Sequence, residues 1–306
     1  MPKSLLWLVL ILPLAACGGP AGEGPSSPEG LRVVATTGMV ADAAREILGD
    51  AGTVEALMGP GVDPHLYKAS ESDVRRLAGA DLILVNGLHL EGKMGDILEK
   101  MAATRPVVAV GAAVPVSELR EPPGMAGQHD PHLWFDVRLW SNTLGPITEA
   151  LVKLVPAKAE AFRANAERYR GELAALDAWV ESRIAEIPPE GRVLVTAHDA
   201  FGYFGRRYGI DVVGLQGIST LAEAGLSDVD RMVELVVSRK VKAIFVESSV
   251  PRRSIEAVQN ACRARGHQVA IGGQLYSDAL GAAGTPAGTY LGMVRANVET
   301  IVTALK

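Results

Sequence analysis

Residues Pro156–Ile187 read PAKAEAFRANAERYRGELAALDAWVESRIAEI. Within them Phe162, Ala166, Tyr169, Leu173, Leu176, Val180, Ile184 and Ile187 are spaced 4, 3, 4, 3, 4, 4 and 3 apart. That is one apolar stripe at helical period. Pro156 suits a first helical turn, and Pro188-Pro189 ends the run. About 31 residues rising 1.5 Å each give roughly 47 Å, longer than an ordinary globular helix. On both sides the chain alternates short β-branched runs with helical patterns. Ahead of the stripe the candidate strands are Arg32–Thr36, Thr53–Leu57, Leu82–Asn86 and Val107–Val110, and the candidate helices Val40–Leu48, Glu71–Ala78, Lys93–Ala103 and Leu139–Leu154. After it the strands are Val193–Ala197, Asp211–Leu215, Ala243–Glu247 and Val269–Gly272, and the helices Phe201–Tyr208, Asp228–Ser238, Ser254–Arg265 and Pro286–Leu305. Ser70-x-x-Asp73 and Ser227-x-x-Asp230 fit helix N-caps with an acid in the first turn. The expected class is α/β: two lobes, each with a parallel sheet flanked by helices, joined by one long rigid helix. The division is residues 31–154 for the N-terminal lobe, 155–188 for the linking helix and 189–306 for the C-terminal lobe.

Composition fits a folded domain. Of 306 residues 48% are apolar and 21% charged. The formal net charge of −5 carries no basic surplus for nucleic acid and no polybasic run for anionic lipid. Residues 1–16 read as a signal peptide, with Lys3 followed by the unbroken apolar run Leu5–Leu12, too short to span a bilayer. The segment ends Leu14-Ala15-Ala16-Cys17-Gly18, which resembles a bacterial lipobox and makes Cys17 the lipidated first residue of the mature chain. Residues 17–30, rich in Gly, Pro and Ser, read as a flexible tether. Cleavage removes one positive charge, Lys3, so −5 becomes −6. The two cysteines, Cys17 and Cys262, supply neither a thiolate zinc site nor a disulfide framework. Any metal chemistry must therefore use the six histidines and the carboxylates.

Two segments repeat a pattern: Asp63-Pro64-His65-Leu66-Tyr67 and Asp130-Pro131-His132-Leu133-Trp134. Proline fixes its own φ and keeps the preceding Asp extended, so each histidine sits in a preset turn beside an aromatic ring that can exclude water. His198 ends the run Val193–Ala197, and Asp278 follows another candidate strand; ligand sites in open α/β sheets gather at such strand ends. Any one of these histidines alone reads as a structural residue, and the repeat is what sets His65 and His132 apart. Three imidazoles and one carboxylate on loops make a closed shell for a divalent transition metal, two donors from each half. Glu247, Asp63, Asp130 and Asp199 are candidates to support those donors from behind. His89, His129 and His267 read as ordinary surface or structural residues, and Cys262 as a buried small apolar one.

With these words in hand, residues 31–306 resemble the zinc/manganese-binding solute-binding lipoproteins of bacterial metal ABC transporters. The resemblance rests on the two Asp-Pro-His-Leu-aromatic motifs, on Thr196–Phe204 (TAHDAFGYF), on Gly217-Ile218-Ser219-Thr220 and on Gly273–Gly281 (GQLYSDALG). It implies that His65, His132, His198 and Asp278 are the metal ligands, as in the subgroup with three histidines and one aspartate. It also implies two α/β lobes on a helical backbone, a permease with its ATPase as partners, a monomer, and an extracytoplasmic place in the periplasm or on the outer face of the cell membrane.

The stretch before the second motif, Glu121–His129, lacks the long His-rich loop usual in zinc-specific members, while His198 stands where many manganese-specific members have Glu. The cargo is accordingly Zn²⁺ or Mn²⁺, one ion per chain; three nitrogens and one oxygen favour zinc, and a bidentate carboxylate would favour manganese. Because imidazole binds metal only when deprotonated, affinity is expected to fall below about pH 6.5. The expectation is a carrier and not an enzyme. A zinc hydrolase using the same ions is the alternative, and it needs three protein ligands, an open water position and a general base. Direct participation of Asp278 separates the two. A further role as a surface adhesin finds no support in the residues.

Overall fold

The computed structural model describes residues 30–122 and 127–306. The signal segment, Cys17 and the tether up to residue 29 lie outside the described residues. Along the chain run β1 (Leu31–Ala35), α1 (Gly38–Leu48), β2 (Gly52–Ala56), α2 (Glu71–Ala78), β3 (Leu82–Val85), α3 (Gly95–Ala102), β4 (Val107–Ala109), α4 (Val137–Trp140), α5 (Leu144–Leu154) and α6 (Ala159–Ile184). Then follow β5 (Val193–His198), α7 (Gly202–Tyr208), β6 (Asp211–Gln216), α8 (Leu226–Ser238), β7 (Ala243–Glu247), α9 (Arg253–Ala264), β8 (Ala270–Leu275) and α10 (Tyr290–Leu305). All strand pairing is parallel. The first half forms a four-stranded sheet in the order β2-β1-β3-β4, with Leu31 opposite Gly52, Val33 opposite Leu82 and Ile83 opposite Val107. The central strand β3 is buried along its whole length, as a continuous apolar run covered on both faces should be. In the second half β5 pairs with β6 and β7 with β8, and β5 lies beside β7.

The apolar stripe folds as expected. Its residues from Phe162 to Ile184 are the buried residues of the 26-residue helix α6, and Pro156–Lys158 forms a short 3-10 turn ahead of it. The helix packs on α1, α4 and α5 from the first half and on α7 and α10 from the second. One apolar core runs from Val33 through these helices to Leu305, with Trp140 stacked on Tyr290 at 5.6 Å between ring centres. The polar flank of α6 is tied to its neighbours as well. Asn165 and Arg168 reach the end of α1, Asp177 holds Arg207 and Tyr208 of α7, and Arg183 pairs with Glu299 of α10. A second core lies under β5–β8 and contains Met232, Val236, Ile255 and Cys262, so the cysteine is the buried apolar residue the sequence suggested.

Two local expectations need correction. The pattern over Leu139–Leu154 is two helices separated by a 3-10 turn at Ser141–Thr143. Pro146, in the first turn of α5, has no N–H to continue an α-helical ladder back into that segment. The cap of α8 is Gly225 and not Ser227: the Asp228 carboxylate accepts from the Gly225 N–H at 2.8 Å, drawing the start of the helix forward. The Ser70 cap of α2 forms as read, with Asp73 returning a hydrogen bond to the Ser70 N–H.

Candidate metal centre

The repeated Asp-Pro-His motif has a local physical meaning. In each copy the Asp side chain accepts the backbone N–H of the His two residues on, at 2.9 Å for Asp63–His65 and 3.0 Å for Asp130–His132. This is an Asx turn, and the intervening proline stiffens it. The two copies diverge at their remaining oxygens. Asp130 Oδ1 also takes the His132 ring Nδ1–H at 2.7 Å, and its Oδ2 takes Arg120. Asp63 Oδ2 instead accepts the Thr220 hydroxyl at 2.6 Å, which ties the His65 loop to the loop after β6.

His198 is the last residue of β5, and Glu247, the last of β7, stands beside it. Glu247 accepts the His198 backbone N–H at 2.9 Å and ring Nδ1–H at 2.5 Å. Gly214 on β6 lets the strands close here: a Cβ at that position would lie 2.4 Å from the Asp199 amide nitrogen. Asp278 follows β8. Trp134, the aromatic of the second motif, packs its ring against His132 at 5.2 Å and donates Nε1–H to the Ser277 carbonyl at 2.9 Å, fixing the segment that carries Asp278.

The structure brings His65, His132, His198 and Asp278 together. All four are buried, and one donor atom from each lies within 4.8 Å of every other, the one such cluster among the described residues. His65 and His132 meet through Nε2 at 3.3 Å. Asp278 Oδ1 stands 3.4 Å from His132 Nε2, and Oδ2 stands 3.3 Å from His198 Nε2. Each of His132 and His198 has a carboxylate on Nδ1, so that when the ring is neutral Nδ1 keeps the proton and Nε2 is the lone-pair donor. His198 Nε2 and Asp278 Oδ1 are buried with no hydrogen-bond partner. Buried polar atoms are normally satisfied, so orphans converging on one point mark a place for a cation.

The electrostatics follow the partners. Burial pushes His65 down to about 4. Burial acts the same way on His132, but the hydrogen bond to Asp130 and the carboxylate of Asp278 outweigh it and raise the ring to about 9. Burial likewise opposes the charge on His198, yet Glu247 and Asp278 hold that ring well above the ordinary imidazole value. Asp278 sits well below the usual carboxylate range, since the positive field of His198 and His132 overcomes its burial.

Of the four supporting residues expected, Glu247 and Asp130 bond a donor ring directly, and Asp63 bonds only the His65 backbone. Asp199 engages none of the four: its backbone N–H bonds Gln216 and Gly217, and its carboxyl is raised by burial. His89 and His129 stand outside the cluster, lining with His65, Leu88 and Leu221 a cavity of about 340 Å³ at its mouth. His267 is remote, bonded to the Val241 carbonyl. Sequence reading missed Thr220, Arg120 and the second role of Trp134. Trp134 had a signal in its place in the motif and Thr220 in the Gly217–Thr220 word; nothing in the sequence singled out Arg120.

Known proteins share this arrangement of elements. The profile of the zinc-uptake complex component A periplasmic family (ZnuA) matches residues 33–304. The chain is 49% identical to the manganese-binding lipoprotein MntA of Bacillus subtilis (strain 168), over 100% of both chains. It is 51% identical to the zinc-binding protein TroA of Treponema pallidum (strain Nichols), over 89% of this chain and 88% of that one. The solved structure of periplasmic zinc-binding TroA from Treponema pallidum superposes with a TM-score of 0.88, covering 90% of this chain and 99% of that one at 50% identity. The chain belongs to the ZnuA family of zinc-uptake complex component A proteins.

Proposed function

We propose that this protein captures one Zn²⁺ or Mn²⁺ ion outside the cytoplasm on His65, His132, His198 and Asp278 and delivers it to an ABC permease with its ATPase. The observation that carries this reading is the convergence of three imidazole nitrogens and a carboxylate, two of them orphaned, in a buried pocket. Regular tetrahedral bonds of about 2.0–2.1 Å give donor–donor edges of about 3.3 Å, and the three closest separations are 3.3, 3.3 and 3.4 Å. Both Asp278 oxygens face the rings, so the carboxylate can bind through one oxygen or two. The second mode adds a fifth donor and suits Mn²⁺ as well as Zn²⁺. Relatives named for each of these metals stand at similar identity, which supports the same pair of cargoes here. Asp278 within the cluster favours the carrier over the hydrolase alternative, which gains no specific observation.

The anchor fits the same reading. Relatives named as lipoproteins support lipidation at Cys17, with residues 17–30 as the tether. No helix among the described residues is long and apolar enough to cross a membrane. Residues 31–154 and 189–306 act as the lobes, with the 155–188 helix between them. The direct test is elemental analysis of protein from its native host, followed by Zn²⁺/Mn²⁺ competition. One ion per chain is expected, and a chain that holds neither metal overturns the reading.

Proton competition makes capture pH-dependent. The ion needs Nε2 of His132 and of His198 free, and the carboxylates beside both rings raise their proton affinity above that of ordinary imidazole. Each displaced proton costs about tenfold in affinity per unit fall in pH below the pKa of its group. Affinity should therefore fall on acidification, and the fall should begin above the value near 6.5 expected of free imidazole, because the carboxylates behind His132 and His198 hold protons on both rings. Calorimetric titration in buffers of different ionisation enthalpy checks this through proton release. Affinity that stays flat on acidification to below about pH 6.5 contradicts it.

A further inference from the structure

Arg120 and Gly202 meet where the first half of the chain touches the second. Arg120 lies in the segment leading into the second Asp-Pro-His motif, and Gly202 opens α7. The Arg120 guanidinium donates to Asp130 Oδ2 at 2.5 Å; Asp130 is fully buried while the Arg120 side chain keeps 25% exposure. The other Asp130 oxygen holds His132 by both backbone N–H and ring Nδ1–H. The guanidinium rests on the bare backbone of Gly202, where an added Cβ would lie 1.3 Å from Nη1 and 2.1 Å from Cζ. Gly202 is not in a left-handed conformation, so the requirement for glycine is steric. The neighbouring backbone is fixed independently. The Tyr203 hydroxyl accepts the Arg120 N–H and donates to the Asp130 carbonyl, each at 3.0 Å, and the Asp130 N–H donates to the Arg120 carbonyl at 2.9 Å.

We infer that Arg120 is a positioning residue for the metal centre and that Gly202 exists to seat it. The inference rests on the reading of His132 as a metal donor. With Oδ2 held by Arg120, the Asp130 carboxylate cannot rotate, and Oδ1 stays aligned with the His132 ring. Glu247 does the same for His198 with both of its own oxygens. Asp130 has only one oxygen on its histidine, so a second residue must hold the other. An arginine suits this because it carries its charge at every working pH and brings donors in a fixed plane. Partners behind a metal-bound histidine typically contribute 10–100-fold in affinity, and a residue one step further back belongs near the lower end.

The test is a double-mutant cycle on the full chain, read by competitive Zn²⁺ titration, with the visible spectrum of the Co²⁺-loaded protein as a report on donor geometry. Arg120→Met removes the donor, and Gly202→Ala evicts the guanidinium from Asp130 while leaving both of those residues in the sequence. Each should weaken Zn²⁺ binding about tenfold and shift the Co²⁺ bands, while the metal-free protein stays folded with a lowered melting temperature, since Asp130 is left buried with one partner fewer. The double variant should bind no worse than either single one. Wild-type affinity in R120M, or losses that add in the double variant, overturns the inference. So does a loss accompanied by general destabilisation with unchanged Co²⁺ bands. Should R120M not fold, G202A against wild type carries the same comparison. Failure of the wild type to bind metal would count against the function itself, and the cycle separates that outcome from failure of the positioning role.

Discussion

His132→Ala yields a protein that folds but no longer retains its ion. His132 stands at the middle of the cluster: its ring lies near His65, His198 and Trp134, and its Nε2 lies near both His65 and Asp278. A four-donor zinc site binds with an apparent free energy of about 10–16 kcal/mol, so an equal share for one donor is about 3–4 kcal/mol, or about 10²–10³-fold in affinity. The loss should reach or exceed that range, because Asp130 would remain buried with its Oδ1 facing a void where the ring had been. The fold should survive, since the Asx turn needs only the backbone N–H of residue 132 and Tyr203 still grips Asp130. Metal content by elemental analysis, alongside circular dichroism, checks both halves of the statement. Near-wild-type metal content in a folded H132A protein would remove His132 from the donor set.

The second large effect lies in the scaffold. Leu176 is fully buried at the middle of the α6 stripe, in the core shared by helices from both halves. Leu176→Ala should cost about 2–5 kcal/mol, the lost transfer energy plus the cavity left where neighbours relax only in part. For a unit of this size that is a fall of roughly 5–15 °C in melting temperature. Glu167→Ala, on the exposed side of the same helix and paired only with Arg170, should change little. Differential scanning calorimetry of the two variants decides the matter. Equal melting temperatures would mean that the stripe does not carry the core.

Legibility in the sequence followed the range of the interaction. The α6 stripe could be read because helical period is a property of neighbouring residues, and so could all eight strands. The Asp-Pro-His turns were equally readable, since the Asp and the N–H it accepts are two residues apart. The start of α8 was misread because two acids, Asp228 and Asp230, were both within reach of a cap, and only geometry chooses between them. Thr220 meets Asp63 across 157 residues and Trp134 meets Ser277 across 143, and no local pattern announces either contact. Asp199 shows the converse error: it follows His198 directly, just past the end of β5, yet it makes no hydrogen bond to any of the four donors, so adjacency in sequence is no guide to partnership. His198 and Asp278 are weak as isolated residues; they gain weight first from the repeated motif around His65 and His132, and then from the family resemblance.

The hydrogen bonds behind the histidines have one more consequence. Asp63, Asp130 and Glu247 each fix the main chain of a donor through bonds that contain no metal. In a zinc finger the ion supplies the folding energy, so releasing it dissolves the domain. Here the entropy of ordering the donor loops is met by the polypeptide alone. Folding thus does not wait for the cargo, which adds to stability only by mass action once it is bound. Such a vessel can be emptied and refilled many times, with no round of refolding between deliveries.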